Sequence, residues 1–136
     1  RLLEPDFMRR LGTRCLVVEV RLPAQTQAWS AACARLTITR TSWEAYASCV
    51  VALDQDAGLI RRAAVAVGSV LPRAVRLARV EALLRGRPAG AEAARSAAEA
   101  AASELAALSG GASAKAYACR VAGVLVRRCL EEVVHG

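Results

Sequence analysis

Apolar and polar positions follow three different rhythms along these 136 residues, and each rhythm predicts a different kind of element. Near the start, Leu16-Val17-Val18-Glu19-Val20-Arg21-Leu22 alternates: Leu16, Val18, Val20 and Leu22 fall on one side, Glu19 and Arg21 on the other. A period of two predicts a half-buried strand, and Pro23 stops it. Ala24 to Ala28 reads as a loop. The stretch from Trp29 to Thr39 has no clean period, but Leu36-Thr37-Ile38-Thr39 has strand propensity and predicts a strand. Arg40-Thr41-Ser42-Trp43-Glu44 is a polar connection into the central hairpin.

The second rhythm is a continuous run. Tyr46 to Leu53 holds small and β-branched residues with no charge, which suits a strand at the centre of a sheet or covered on both faces. Asp54-Gln55-Asp56-Ala57-Gly58 then predicts a turn, with short acidic side chains bonding their own backbone and a glycine free to take positive φ. Leu59 to Val67 returns, Arg61 and Arg62 at its wet end and Val65 and Val67 deeper. Gly68, Ser69 and Pro72 close it, since proline cannot donate to a ladder.

After that hairpin the period lengthens to about 3.6, the mark of helices. Val75 to Arg85 places Leu77, Val80 and Leu84 on one face and ends at Gly86. Ala91 to Leu108 carries a polar stripe of Glu92, Arg95, Ser96, Glu99 and Ser103 opposite a face of alanines, and Gly110-Gly111 breaks it. Ser113 to Val134 puts Tyr117, Val121, Leu125 and Cys129 on one line, flanked by Val126, Leu130 and Val133. Strands first and helices afterwards predict an α+β fold: an antiparallel sheet of three to four strands followed by a three-helix layer on one face. Residues 1–14 read as an approach segment and 15–136 as a single domain.

Composition narrows the function classes. The chain is 55% hydrophobic but only 4% aromatic, much of the remainder being alanine, so its helices can approach closely. No apolar stretch nears the roughly 20 residues of a membrane helix, and no signal-peptide pattern opens the chain, which points to a cytoplasmic protein. The net charge of +7 raises nucleic acid as a partner. Yet the charge is nearly all arginine, dispersed in pairs such as Arg9-Arg10, Arg61-Arg62 and Arg127-Arg128, without interleaved aromatics, and this favours a solvated surface over a nucleic-acid site. Cys15, Cys33, Cys49, Cys119 and Cys129 form no CxxC pair and no metal-like spacing, so they read as buried reduced thiols. His135 is the only histidine, which leaves no base for a serine or cysteine nucleophile and no two-histidine metal site. Glu131-Glu132 is an adjacent pair on a helix, where neighbours point apart. Nothing in the chain by itself forms an active site.

Four stretches in order resemble the C-terminal domain of the FAD-binding medium subunit of the xanthine dehydrogenase and carbon monoxide dehydrogenase family of molybdenum hydroxylases. They are LVVEVRLP (Leu16 to Pro23), IRRAAVAVGSVLPRAVRLARVEALLRGRP (Ile60 to Pro88), the alanine-rich helix, and Tyr117 followed by VLVRRCLEE (Val124 to Glu132). The resemblance implies electron transfer from iron–sulfur clusters to FAD, with the flavin held mainly by an upstream FAD-binding domain. The partners it implies are that domain and the iron–sulfur and molybdenum subunits. It also implies that residues 1–14 are the end of the upstream domain or a linker, and that the isolated chain holds no FAD and has no activity.

The family's arginine-rich turn and acidic residue near the isoalloxazine fall here on Thr39 to Glu44, so the resemblance assigns Arg40, Trp43 and Glu44 as cofactor-binding residues. The plain alternative is that Trp43 packs a loop and Glu44 is a solvated charge. The chain also departs from the family pattern: Gly110 and Ala112 stand where an acidic residue and an arginine are expected, and Ala118 where an arginine follows the tyrosine. A free-standing or degenerate protein-docking module without flavin is the competing reading.

Overall fold

The computed structural model describes residues 16, 18–19, 29–39, 41, 44–110 and 113–135. Its centre is the predicted hairpin. Strands β2 (Ala45–Asp56) and β3 (Leu59–Gly68) pair antiparallel and are joined by Ala57-Gly58, with φ of 49° and 77°. Two left-handed residues in a row match the twist of the flanking strands. The turn is thus two residues long, shorter than the predicted Asp54–Gly58. A register shift after Asp54 lets β2 continue, and the acids bond across the hairpin rather than to their own backbone. Arg62 Nε donates to Asp54 at 2.8 Å, and Arg61 to Asp56 at 3.4 Å.

On the other side of β2 lies β1 (Ser30–Thr37), and a two-residue strand, β4 (Val75–Arg76), pairs with β3. The sheet order is β1-β2-β3-β4, antiparallel throughout. The sequence placed the first of these strands at Leu36–Thr39. Its alanines and Cys33 have little strand propensity of their own, so pairing with β2 imposes the conformation. The strand predicted at Leu16–Leu22 is not seen at the residues described there. Leu16 and Val18 are 85% and 89% exposed and unpaired, and the rest of that stretch lies outside the described residues.

Among the described residues three helices follow on one face of the sheet, the first and last against its strands and the middle one packed against those two helices. Helix α1 (Ala78–Leu84) buries Val80 and Leu84 beside Leu77, as the period predicts. It is shorter than the predicted Val75–Arg85 because Val75 and Arg76 are taken into β4. Two carboxylates tie it down. The amides of Arg79 and Val80 donate to Glu104, both at 3.3 Å, so a residue of the next helix caps its first turn. Glu81 accepts from the Val65 amide at 3.0 Å and from Arg76 at 2.6 and 2.7 Å.

Helix α2 (Ala91–Leu108) has the predicted bounds and buries Ala93, Ala94, Ala97, Ala101 and Leu105. A short 3-10 turn, Ser113–Lys115, leads into α3 (Ala116–His135). Here the packing differs from the predicted line. Leu125 and Cys129 are buried, but Tyr117 is 58% exposed and the first turns bury Ala118, Cys119 and Ala122 instead. The physical reason is close approach to α2: a Cβ built on Gly123 would lie 2.6 Å from the Ala98 carbonyl oxygen. Only small side chains fit on that side, so the helix turns its tyrosine outward.

The core lies between this helical layer and the inner sheet face, which presents Ala47, Cys49, Val51 and Leu53 of β2 and Ala63, Val65 and Val67 of β3. The outer face carries Ser48, Val50 and Ala52, with Val50 half exposed. As predicted, β2 is central in the sheet, but it is covered on one face only.

Candidate functional site

Three of the exposed apolar side chains lie together at one end of the sheet. Leu36, Ile38 and Tyr117 are 40%, 75% and 58% exposed, and with Thr37 and Tyr46 they line an open cleft of about 300 Å³. The cleft is built by a strand irregularity and a helix start. Between Leu36 and Thr37 the β1–β2 register shifts, so that Leu36 faces Ala47 while Thr37 faces Ala45, and Tyr46 is the extra residue. Such a bulge breaks the alternation of faces and re-aims the side chain it carries. The Tyr46 ring lies 5.9 Å from that of Tyr117, in the first turn of α3, at an interplanar angle of 49°. This tilted arrangement suits the quadrupoles of two aromatic rings. The Arg120 guanidinium stands 5.9 Å from the Tyr117 ring centroid and brings a positive charge to the same place.

Larger hollows exist, but their described linings hold no aromatic ring. One of about 450 Å³ lies among Leu71, Pro72, Arg73, Val75 and Leu108, and two of about 390 Å³ border the first turns of α2. The tyrosine cleft combines apolar walls, hydroxyls and a nearby cation, the mixture that orients a small organic ligand.

The residues singled out from the sequence sit beside it. Glu44 is exposed, immediately before β2 and two positions ahead of Tyr46. Arg40 and Trp43 lie outside the described residues. Thr39 and Thr41, on either side of Arg40, approach each other through their hydroxyls at 3.4 Å. Sequence reasoning did not single out Tyr46, and it placed Tyr117 on the buried line of its helix. The small residues at Ala118, Ala122 and Gly123 were the available sign that Tyr117 faces away from the core. For Tyr46 no local sign exists, since a bulge is a property of two strands.

The thiols give no second site. Cys49, Cys119 and Cys129 are buried as expected, while Cys33 is exposed on β1 and Cys15 lies outside the described residues. A hydrogen bond with Cys129, together with burial, holds the Cys49 thiol far above the ordinary thiol range, so it stays protonated and unreactive. Among the described residues no cluster of His, Cys, Asp or Glu has the make-up of a metal site, and no helix is long and apolar enough to cross a membrane.

Comparison with known proteins agrees with this architecture. No curated protein sequence matches the chain. Among solved structures, carbon monoxide dehydrogenase from Hydrogenophaga pseudoflava is 30% identical with a TM-score of 0.63, the match covering 80% of this chain and 38% of that one. A Cu,Mo carbon monoxide dehydrogenase is 21% identical with a TM-score of 0.69, over 84% of this chain and 40% of that one. Quinoline 2-oxidoreductase from Pseudomonas putida 86 is 20% identical with a TM-score of 0.66, over 80% and 38%. The chain therefore spans about two fifths of the length of these relatives. A family model described as the CO dehydrogenase flavoprotein C-terminal domain matches residues 23–133. That stretch takes in all four strands and nearly all of the helical layer, and the chain belongs to this family of flavoprotein C-terminal domains.

Proposed function

We propose that this chain is the C-terminal part of the FAD subunit of a molybdenum-hydroxylase-type oxidoreductase. It completes the flavin site and the subunit contacts while electrons pass from iron–sulfur clusters to FAD. The observation that carries this reading is the family match over residues 23–133. The relatives' length supports it, since three fifths of each lies outside the matched part and leaves room for a separate FAD-binding domain. We assign residues 1–14, ahead of the 15–136 domain, to the junction with that domain. Leu16 and Val18, exposed and ahead of the matched stretch, offer apolar surface close to that junction.

The residues at the sheet end fit a flavin's chemistry. An isoalloxazine is a flat heterocycle with an apolar dimethylbenzene side and a polar pyrimidine side, and the cleft offers apolar walls together with hydroxyls. When bound, the flavin supplies one- and two-electron transfer. Arg40 would place positive charge near the ring and favour its reduced, negatively charged state, Glu44 would accept a hydrogen bond from a ring N–H, and Trp43 would shield the ring from water. The glycines here form no phosphate-cradling loop, so the FAD phosphates are assigned to the upstream domain.

The test is to purify these residues alone and fused to their upstream sequence. The expected result is a colourless, inactive chain alone and a flavin absorbance spectrum from the longer polypeptide; FAD retained by the chain alone overturns the assignment. One observation keeps the docking reading alive, the half-exposed Val50 on the uncovered sheet face. Under that reading the longer polypeptide is also flavin-free.

A further inference from the structure

We propose that Tyr46 and Tyr117 form the aromatic wall against which the flavin ring rests, with Leu36 and Ile38 as the apolar side of the same cleft. This rests on the flavoprotein reading above and extends it to residues that the arginine-rich turn does not include.

Three features of the cleft carry it. First, the apolar groups are displayed, not buried: Leu36, Ile38 and Tyr117 are all exposed, while Leu125, Val126, Cys129 and Leu130 further along α3 are buried and Val124 is partly left out. A contiguous exposed apolar surface in a folded chain marks a place where something binds. Second, both rings are held by rigid elements, one by a bulge inside a paired strand and one by the first turn of a helix. Sites built on strands and helices keep their geometry better than sites on loops. Third, the cleft opens beside the Thr39–Glu44 turn: β1 runs through Leu36 and Thr37 into it, and β2 leaves it two residues before Tyr46. Tyr46 follows that turn by two residues along the chain and has the Tyr117 ring 5.9 Å from its own. Arg120, against the ring of Tyr117, adds positive charge on that side. A planar, electron-poor ring is the occupant that such electron-rich walls with a polar edge favour.

The experiment uses the full flavin subunit, stripped of FAD and titrated with FAD by calorimetry, with the emission of the bound flavin recorded alongside. Tyrosine beside a flavin quenches its fluorescence by donating an electron to the excited ring. Tyr117→Ala and Tyr46→Ala are expected to weaken FAD binding by about tenfold, the scale of one lost aromatic stack. Both are also expected to raise the bound flavin's emission. Tyr117→Phe keeps the ring and is expected to hold near wild-type affinity, while Leu108→Ala, exposed on α2 and outside the cleft, changes neither readout. Circular-dichroism melts confirm that each variant is folded, and Tyr117, already exposed, is the variant least exposed to a folding defect. Unchanged affinity and emission in a folded Tyr117→Ala overturns the inference even where FAD binds the subunit, and gives the cleft to a protein partner. A wild-type subunit that binds no FAD overturns the flavoprotein reading, and this inference with it.

Discussion

Helix α3 meets the sheet at two places that obey opposite rules. Along its middle and far end, Leu125, Val126, Cys129 and Leu130 are covered, as are Cys49, Val51 and Leu53 of β2. At its first turn the same helix and the same strand leave Tyr117 and Tyr46 around an open cleft. The chain has small residues enough to close that end: Ala118 and Ala122 already take the helix to within contact of its neighbours. Tyr117 stays outside and Tyr46 stays half-buried at the edge of the core because the bulge at Tyr46 and the close approach at Gly123 fix the course of both elements. The inner region is therefore a closed interior and the outer one an open apolar surface, at a cost of roughly 25 cal/mol for each Å² of apolar surface left wet.

The contrast can be broken from the inside first. Leu53→Ala removes a side chain that is 1% exposed and should cost about 3 kcal/mol of stability in urea denaturation. A loss below about 1 kcal/mol would mean that this interior is loosely packed. Gly123→Ala pushes a methyl group toward the Ala98 carbonyl and should cost about 2 kcal/mol as α2 and α3 separate; an unchanged melting temperature would show that the helices slide freely.

Raising the pH probes the same interior through a buried thiol. Above about 8.5 an unfolded chain releases the Cys49 proton while the folded chain keeps it. The folded state then keeps the Cys49 proton, so that group's share of stability falls as pH rises past the thiol range, while Cys129, lowered by the same hydrogen bond, offsets part of the fall. Cys49→Ala should flatten that slope, and an equal slope in the variant would locate the effect elsewhere. Glu104→Ala orphans two amides at the start of α1 and should cost about 1.5 kcal/mol by thermal melting. Ile38→Ser, at the cleft, should change stability by less than about 0.5 kcal/mol, because its side chain is already 75% exposed. A large loss there would erase the distinction between the two regions.

Much of the architecture was legible in the chain. The uncharged run before Asp54 and the return from Leu59 specify the hairpin, and the alanine stripe gives α2 both of its ends. These are local signals, read from periods of two and 3.6 that backbone geometry imposes on any amphipathic segment. The resembling stretches also pointed to the family, and three of the four lie within the matched residues 23–133, while Leu16 to Leu22 lies ahead of them. The candidate site was only partly legible. Arg40, Trp43 and Glu44 came from their place in a turn, and of the three only Glu44 has a described position.

Tertiary structure alone decided the rest. The alanines and Cys33 of β1 become a strand because β2 offers a ladder of hydrogen bonds, and no propensity in that stretch could announce it. Asp54 and Asp56 join the hairpin's ion pairs instead of its turn because Arg62 and Arg61 stand across the strand. Glu104 caps a helix far away in the chain. The tyrosine cleft needs a bulge between two strands and a glycine contact between two helices, so no single segment encodes it. Periodicity tells which side of an element is apolar; only the neighbours packed against it determine which apolar residues remain outside.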